Sequence, residues 1–333
     1  MSHIAGFCGK HCWRRLRIRP FSLLCIVLCV VFGCDGSARQ PSLLRVTFLD
    51  VGQGDAAVIQ TPDGRVALID GGGYPGTDER DGDDPGNRIV VPFLRSQGIQ
   101  AVDLIVPTHP DDDHVQGLVA VTQQMPVRAA WISGFDGKSA AYGRLLDEIK
   151  TRKIPVQIVR RGQRFSLGKA TLEILHPAEN PIEGTRSPTN DNSIVLRLIY
   201  GKTRILFTGD AEEAAEKTLF QSGADLRTDV LKVGHHGSRW STSDPFLAAV
   251  RPKAAVISSG SHNVYGHPSK EVLTRLKRQK IRTFRTDTHG ATTVETEGKT
   301  VRIRPFRTTE KVMMTSNYHF DLRRFQGLLS SRQ

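Results

Sequence analysis

Four side chains that commonly bind metal ions fall within six residues of this chain. His109, Asp111, Asp113 and His114 belong to the stretch Thr108 to His114, whose sequence is THPDDDH. An apolar run at positions 102–107 precedes the stretch and predicts a buried strand. A chain that leaves a strand and turns can aim several side chains at one point, and imidazole with carboxylate suits Zn²⁺ or Mn²⁺. The alternative is an acidic turn whose aspartates cap a helix.

Two further strand-like segments end in residues of the same chemical type. Positions 205–210 (ILFTGD) end in Asp210, and positions 230–238 (VLKVGHHGS) contain His235 and His236. Each is weak alone, because an aspartate after a strand is often a helix cap and paired histidines are often on the surface. All three segments end predicted strands, where α/β proteins gather their chemistry. Together they predict one shared site.

The order of the predicted elements indicates an α/β protein. Strands dominate the start of the body, and helices are predicted at 89–97, 115–124, 140–152, 212–221, 245–250 and 269–279. Two halves rich in βα units, with mixed sheets and outer helices, predict an αββα sandwich over residues 43–307. The site would then lie at one edge, between the two sheets.

The chain resembles the metallo-β-lactamase fold and, more narrowly, the hydrolase domain of the ComEC competence proteins and its stand-alone relatives. Besides the three segments above, the resemblance rests on FLDVGQGDA at 48–56, LIDGG at 68–72, NDNS at 190–193, NVYGHP at 263–268, and RTD at 285–287 with Gly290. It covers roughly residues 44 to 305 in uninterrupted order. It implies a hydrolase with two divalent metal ions, Zn²⁺ or Mn²⁺.

The resemblance also implies a set of metal ligands. His109 and Asp111 would hold one ion, Asp113 and His114 the other, and Asp210 would bridge them. The wider fold usually has His where this chain has Asp111, and this oxygen ligand tilts the site towards Mn²⁺. His267 is expected to complete the second ion. One histidine of the His235/His236 pair could do so instead, leaving the other to contact a phosphoryl oxygen.

Further residues take supporting roles in this interpretation. A histidine common in the wider fold between the first motif and Asp210 is missing, so Asn192 or water would complete the first ion, with His176 as a possible substitute. The catalytic residues would be Asp113, which orients the attacking hydroxide, together with His235 and His236. The remaining expected contributors are Ser238, for substrate binding, Asp70, which braces the metal loop, and Gly52 and Gly54, which allow tight turns.

The first 33 residues have the composition of a secretory leader. Lys10 and four arginines precede thirteen almost wholly apolar residues, 21–33, a run too short to span a bilayer comfortably as a helix. Cys34 follows Gly33, as at a bacterial lipoprotein cleavage site. We therefore expect an exported protein, either a membrane-anchored lipoprotein or periplasmic, with a short linker at 34–42 and a tail at 308–333. An uncleaved anchor is the alternative.

All five cysteines lie at or before Cys34, which excludes thiolate zinc sites from the body. The formal charge is +12, of which five charges lie in residues 1–33, leaving +7 for the rest. This moderate charge favours an anionic substrate or surface without being a nucleic-acid signature by itself. Arg160, Arg161 and Arg164 form a local basic cluster, which we interpret as a solvated face.

Three functions fit these features. The first is an exported dinuclear-metal phosphodiesterase, with DNA as one candidate substrate and the membrane as a partner through the lipid or leader. The second is a metal-dependent esterase or lactonase that acts on small or cell-wall molecules. The third is a membrane-tethered binding module without catalysis, which the intact ligand set argues against.

Overall fold

Two mixed β-sheets pack face to face, and helices cover their outer surfaces. The computed structural model describes residues 43–74 and 83–307. The leader at 1–33, Cys34, the linker at 34–42 and the tail at 308–333 lie outside the described residues, and so do positions 75–82. No helix within the described ranges is long and apolar enough to cross a membrane.

The first sheet has eight strands in the spatial order β15-β14-β1-β2-β3-β4-β5-β6. Strands are numbered along the chain: β1 (Leu44–Phe48), β2 (Ala57–Gln60), β3 (Val66–Ile69), β4 (Leu104–Val106), β5 (Ala130–Ile132), β6 (Val156–Ile158), β14 (Thr292–Thr296) and β15 (Val301–Pro305). From β3 to β6 neighbouring strands are parallel, and the other pairs are antiparallel. The carboxyl ends of β3 to β6 therefore meet at one edge.

The second sheet has seven strands in the order β13-β12-β11-β10-β9-β8-β7. They are β7 (Arg164–Leu167), β8 (Ala170–His176), β9 (Val195–Tyr200), β10 (Thr203–Phe207), β11 (Val230–Lys232), β12 (Ala254–Ile257) and β13 (Arg282–Arg285). Strands β10 to β13 are parallel to one another. The second sheet thus also offers a row of parallel carboxyl ends.

The described ranges contain eight α-helices: α1 (Val91–Ser96), α2 (Asp112–Gln124), α3 (Ala140–Thr151), α4 (Pro188–Asp191), α5 (Glu213–Gln221), α6 (Asp244–Val250), α7 (Lys270–Arg278) and α8 (Thr286–His289). A π-helical turn at Gly86–Val90 leads into α1, and a 3₁₀ turn at Gly234–Gly237 follows β11. The short helices α4 and α8 were not predicted.

Three apolar cores hold the layers together. Alternate residues of β1, such as Val46 and Phe48, face the other sheet, where Phe48 and Phe207 have ring centroids 5.8 Å apart. The strand residues that point to the opposite face of this sheet, such as Leu68 and Ile105, pack against the helices of the first half. A third core lies under the helices of the second half. Successive side chains of a strand point to opposite faces, so each sheet packs against the other sheet on one face and against helices on the other.

The predicted αββα sandwich is confirmed, with two local differences. Strand β7 was not predicted, because its polar, largely exposed residues lack the pattern of a core strand. Helix α2 begins at Asp112 and not at Val115, so Asp113 and His114 lie in its first turn. Carboxylates are favoured there by the partial positive charge of a helix N-terminus.

Candidate metal centre

The predicted ligands come together at the edge where the carboxyl ends of both sheets meet. His109 follows β4, Asp210 follows β10, and His235 and His236 follow β11. Helix α2 begins immediately after the β4 loop and brings His114 to the same place. Three segments that are distant in sequence therefore supply one cluster, as the sequence predicted.

Four imidazoles converge on the carboxylate of Asp210. The Nε2 atom of His114 lies 3.3 Å from Asp210 Oδ1. The Nε2 atoms of His236, His235 and His109 lie 3.4, 3.6 and 3.9 Å from Oδ2. The Asp210 main-chain N–H donates to the Ser193 hydroxyl at 3.2 Å, which fixes the turn that carries the carboxylate.

Each of these imidazoles is held from behind through Nδ1. His114 Nδ1 lies 2.9 Å from an oxygen of Asp70, and His235 Nδ1 lies 2.7 Å from an oxygen of Glu212. His109 Nδ1 is 3.1 Å from the Thr108 hydroxyl. His236 Nδ1 is 3.1 Å from the main-chain oxygen of Ser258. Donation from Nδ1 leaves the lone pair on Nε2, the arrangement that metal-binding histidines commonly show.

Several inward-facing atoms are buried without a hydrogen-bond partner among the described residues. They include Nε2 of His109, His114 and His236, and Oδ1 of Asp210. Buried polar atoms without partners are costly, and such a concentration calls for an explanation. Cations held between these atoms would satisfy all of them. The donor set of imidazole and carboxylate therefore fits divalent metal ions.

Two groups of ligands surround Asp210. Asp113 Oδ2 lies 3.2 Å from His236 Nε2, so Asp113, whose side chain is 14% exposed, forms one group with the fully buried His114 and His236. Asp111 Oδ2 lies 3.6 Å from His109 Nε2 on the other side. The Asp111 side chain is 46% exposed, which makes the group of His109 and Asp111 the more open one. Each group could hold one ion, with Asp210 shared between them.

The geometry revises the assignment of His267. Its ring centroid lies 5.3 Å from that of His235 and 6.4 Å from that of His236. His236 itself occupies the position beside Asp113, His114 and Asp210. The alternative in which one of the paired histidines completes the second ion is therefore favoured. His267 lies beside this ring of ligands, and its Nδ1 is buried without a hydrogen-bond partner among the described residues.

Asn192 and His176 are also placed away from the ligand ring. The Asn192 side-chain amide donates to the main-chain oxygens of Ile182 and Pro188 and accepts from the Ile182 N–H. These hydrogen bonds hold a loop, and Asn192 also lines a cleft beside that loop. His176 is buried beneath α5 and donates from Nε2 to the Asp191 carbonyl at 2.8 Å. The Ser238 hydroxyl is buried and accepts weakly from the Trp240 N–H at 3.4 Å.

The bracing residues lie where the sequence places them. Asp70 accepts hydrogen bonds from the Thr108 N–H and hydroxyl at 2.7 and 2.9 Å, in addition to contacting His114. A Cβ atom at Gly54 would lie 2.4 Å from the Asp113 carbonyl, so only glycine lets the β1–β2 loop run against the metal loop. Gly52 turns with a φ of 81° in open space.

Sequence reasoning missed three residues that support the site. Asp55 Oδ1 lies 3.3 Å from His236 Nδ1, and Asp55 Oδ2 is paired with the buried Lys232 ammonium at 2.7 Å. Donor atoms of Asp55, His114, Asp210 and His236 all lie within 4.8 Å of one another. We place Asp55 behind His236, since it contacts the outer nitrogen. The third missed residue is Glu212, which lies 2.7 Å from His235 Nδ1. Asp55 lies in the motif at 48–56 and Lys232 in the motif at 230–238, and this position within the motifs was the sequence signal that could have identified them.

Charge coupling sets the protonation of the cluster. Burial opposes the charged form of His114 and His236, but the carboxylates around them outweigh it and raise the pKa of both well above the ordinary value. Asp210 raises the pKa of His235 in the same way against the effect of burial. The same histidines hold the pKa of Asp210 well below its usual range, although burial acts in the opposite sense.

Metal affinity should therefore rise steeply with pH. Each imidazole must lose its proton before Nε2 can bind a cation, and the raised pKa values extend proton competition above the usual range near 6.5. We expect chelator competition between about pH 6 and 9 to show tighter binding at higher pH, with calorimetry in two buffers detecting proton release. A pH-independent affinity would contradict this assignment of protons.

Comparison with known proteins gives concordant matches. The model of the metallo-beta-lactamase superfamily matches residues 49–262. ComE operon protein 3 of Bacillus subtilis (strain 168) is 33% identical over 271 residues, which are 79% of this chain and 34% of that protein. Competence protein ComA of Neisseria gonorrhoeae is 31% identical over 281 residues, which are 84% of this chain and 36% of that protein. The predicted resemblance to ComEC-like proteins is confirmed.

The chain spans about a third of the length of these two relatives. Among solved structures, CmlA, a diiron β-hydroxylase from Streptomyces venezuelae, is 16% identical with a TM-score of 0.49. That match covers 80% of this chain and 59% of CmlA.

Proposed function

We propose, from the premise that this chain belongs to the metallo-beta-lactamase superfamily, that its site is that of a dinuclear metal-dependent phosphodiesterase. The observation that carries the proposal is the convergence of four imidazoles on Asp210, with buried Nε2 atoms that have no partner among the described residues. When bound, two divalent ions would supply Lewis-acid activation of water and stabilisation of developing negative charge.

The chain's own residues then take distinct roles. His109, Asp111 and Asp210 would hold the first ion, and Asp113, His114, Asp210 and His236 the second. Asp113 is the one carboxylate of the second group that is not shared with the first, and we assign it the orientation of the attacking water. This division leaves His235 free for the substrate.

His235 has the properties of a proton donor to the phosphoryl group. Its side chain is 24% exposed, while those of His109, His114 and His236 are buried. Glu212 holds Nδ1 at 2.7 Å, and Asp210 raises the pKa of the ring against the effect of burial. With Nδ1 held by the Glu212 carboxylate, the Nε2 of a protonated His235 is placed to donate to a phosphoryl oxygen, where more negative charge develops than on a carboxyl ester.

Nucleic acid is the phosphodiester that the rim of the site favours. Trp240 is 45% exposed and Tyr265 is 53% exposed, on the loops that follow His236 and precede His267. Arg186 stacks over Trp240, with its guanidinium carbon 3.9 Å from the ring centroid. Exposed aromatic rings and arginine provide the stacking surfaces that bases use. The name of one relative, Competence protein ComA, agrees with this substrate.

We also keep the proposal that the protein is exported and reaches the membrane through its leader or a lipid on Cys34. Its support is the basic and then apolar composition of residues 1–33.

Assays on three substrates test the function. With Mn²⁺ or Zn²⁺, we expect turnover of bis-p-nitrophenyl phosphate to exceed that of p-nitrophenyl acetate, and Mn²⁺ to match or exceed Zn²⁺. DNA cleavage should weaken steeply with salt, because phosphate contacts release counterions. His235→Ala should lower turnover while retaining most bound metal, and His262→Ala, an exposed histidine, is the matched control. Lactone or ester hydrolysis without phosphodiester turnover in any metal would favour the esterase alternative.

A further inference from the structure

A cleft of 260 Å³ opens beside the metal centre, and the site described above does not use it. Its walls include the loop after β5 (Ser133 to Asp136), Arg160 after β6, and Pro177 after β8. Because β3 to β6 are parallel, the loop after β5 and Arg160 lie at the same sheet edge as His109. Strand β8 runs in the same direction as β10, so Pro177 lies at the end of the second sheet that carries Asp210. The cleft is therefore on the catalytic face of the sandwich.

The β5 loop is in direct contact with the metal loop. A Cβ atom at Gly137 would lie 2.3 Å from Cβ of Pro110, the residue between His109 and its neighbouring ligand Asp111. The contact is on the side of the more open ligand group, where Asp111 is exposed. A substrate that reaches the first ion position would thus extend naturally into the cleft.

Arg160 presents a fixed and unneutralised charge to this cleft. Its Nη1 atom donates to the main-chain oxygens of Ser133 at 2.7 Å and Val159 at 2.9 Å. Within residues 43–74 and 83–307, no carboxylate lies within ion-pair distance of Arg160, and its Nε is buried without a partner. Nη2 lies beside Gly134, 3.5 Å from where a Cβ atom would be.

This geometry corrects the interpretation of Arg160 as part of a solvated face. Two carbonyls hold one end of the guanidinium, so little side-chain freedom remains to be lost on binding. Nε is buried, so Nη2, beside Gly134 in the cleft wall, is the nitrogen left to donate a charged hydrogen bond to a phosphate oxygen. Arg164, four residues on in the same basic cluster, lies exposed on the edge strand β7.

We propose that Arg160 binds the phosphate that flanks the scissile phosphodiester, and so makes the enzyme selective for oligonucleotides over isolated phosphodiesters. Phe135, which is half-buried in the same wall, is placed to contact the attached nucleoside. Asp136 also lines the cleft, and its exposed carboxylate opposes anion binding, so the phosphate would lie at Arg160 and away from Asp136. This inference rests on the proposed phosphodiesterase function.

The test compares a substrate that has flanking phosphates with one that has none. Full-length wild type, Arg160→Ala, Arg160→Lys and the matched control Arg164→Ala are assayed on an oligothymidylate and on bis-p-nitrophenyl phosphate. We expect Arg160→Ala to raise KM for the oligonucleotide by about 10- to 100-fold, the effect of one charged hydrogen-bonded contact. Its kinetics on bis-p-nitrophenyl phosphate should stay within about twofold of wild type.

The other variants and a binding measurement complete the design. Arg160→Lys should restore only part of the oligonucleotide affinity, since a single ammonium cannot both bind the Ser133 and Val159 carbonyls and donate to the phosphate as the guanidinium does. Arg164→Ala should resemble wild type on both substrates. Fluorescence anisotropy of a labelled oligothymidylate with the metal-free protein should show the same loss for Arg160→Ala, independently of turnover.

Two results would overturn the subsite. An equal loss on both substrates, with a lowered melting temperature, would mean that Arg160 only supports the Ser133 loop. An unchanged KM and unchanged anisotropy would mean that no phosphate binds there. Failure of the proposed function is distinguishable, because wild type would then hydrolyse neither substrate while the anisotropy still reports on Arg160.

Discussion

Asp210→Asn is expected to remove the bound metal and abolish hydrolysis. All four imidazole Nε2 atoms lie within 3.9 Å of the Asp210 carboxylate, so both ligand groups share this one side chain. Asparagine preserves the size but removes the negative charge and one acceptor oxygen. With about 4 kcal/mol of charge stabilisation lost, turnover should fall by at least about 10³-fold.

Metal analysis and phosphodiester assays on the same preparation measure this effect. Asp103→Asn is the matched control, because Asp103 precedes β4 at the opposite end of that strand and pairs with Arg65 and Arg128. It should keep metal and activity. If Asp210→Asn kept both ions and near-normal turnover, Asp210 would not be the shared ligand.

Lys232→Met should destabilise the protein by about 3–5 kcal/mol, the usual consequence of leaving a buried charge without its partner. The Lys232 ammonium is buried between Asp55 at 2.7 Å and the Val233 carbonyl at 2.8 Å. Although burial disfavours a charged carboxylate, Lys232 is the largest influence that holds the pKa of Asp55 below its ordinary value. Methionine would remove the buried ammonium and leave His236, 3.3 Å away, as the remaining neighbour that offsets the Asp55 charge. Denaturant unfolding of the metal-free protein measures the change in free energy.

Lys253→Met provides the matched control for a lysine salt bridge. Lys253 pairs with Asp229 at 2.9 Å, but its side chain is 84% exposed. An exposed pair of this kind contributes about 0–1 kcal/mol, so the control should unfold almost like wild type. Equal effects of the two substitutions would show that the Lys232–Asp55 pair is not buried as described.

The ligands that are close together in sequence could be predicted before the fold. His109, Asp111, Asp113 and His114 follow one strand, and local sequence is enough to place them at one sheet edge. Asp210 was also predictable, because strand ends in α/β proteins converge. These predictions need only the alternation of apolar residues along strands and the positions of turns.

The choice among His235, His236 and His267 could not be predicted in this way. Both His235 and His236 have positive φ, at 45° and 51°, a conformation that sequence gives little reason to expect in paired histidines. It turns both Nε2 atoms towards Asp210, while His267 stays outside. Which imidazole reaches the carboxylate depends on how β10 and β11 pair, and on Asp55, which lies 181 positions before His236 in the sequence.

The Arg160 cleft escaped prediction for the same reason. A run of arginines beside glycine is typical of solvated surface, and nothing local distinguishes Arg160 from Arg164. The difference is made by the Ser133 carbonyl, which comes from the neighbouring strand end and fixes one guanidinium and not the other. The role of such a residue depends on hydrogen-bond partners that come from neighbouring strands, and these are known only once the sheet is assembled.

The number of divalent ions bound by the purified full-length protein tests the central claim most directly. Elemental analysis after loading with Mn²⁺ or Zn²⁺ and removal of excess metal should give two ions per chain, with phosphodiester turnover rising in proportion to occupancy. Binding of no ion, or full activity in a protein stripped of metal by a chelator, would contradict a dinuclear metal-dependent phosphodiesterase.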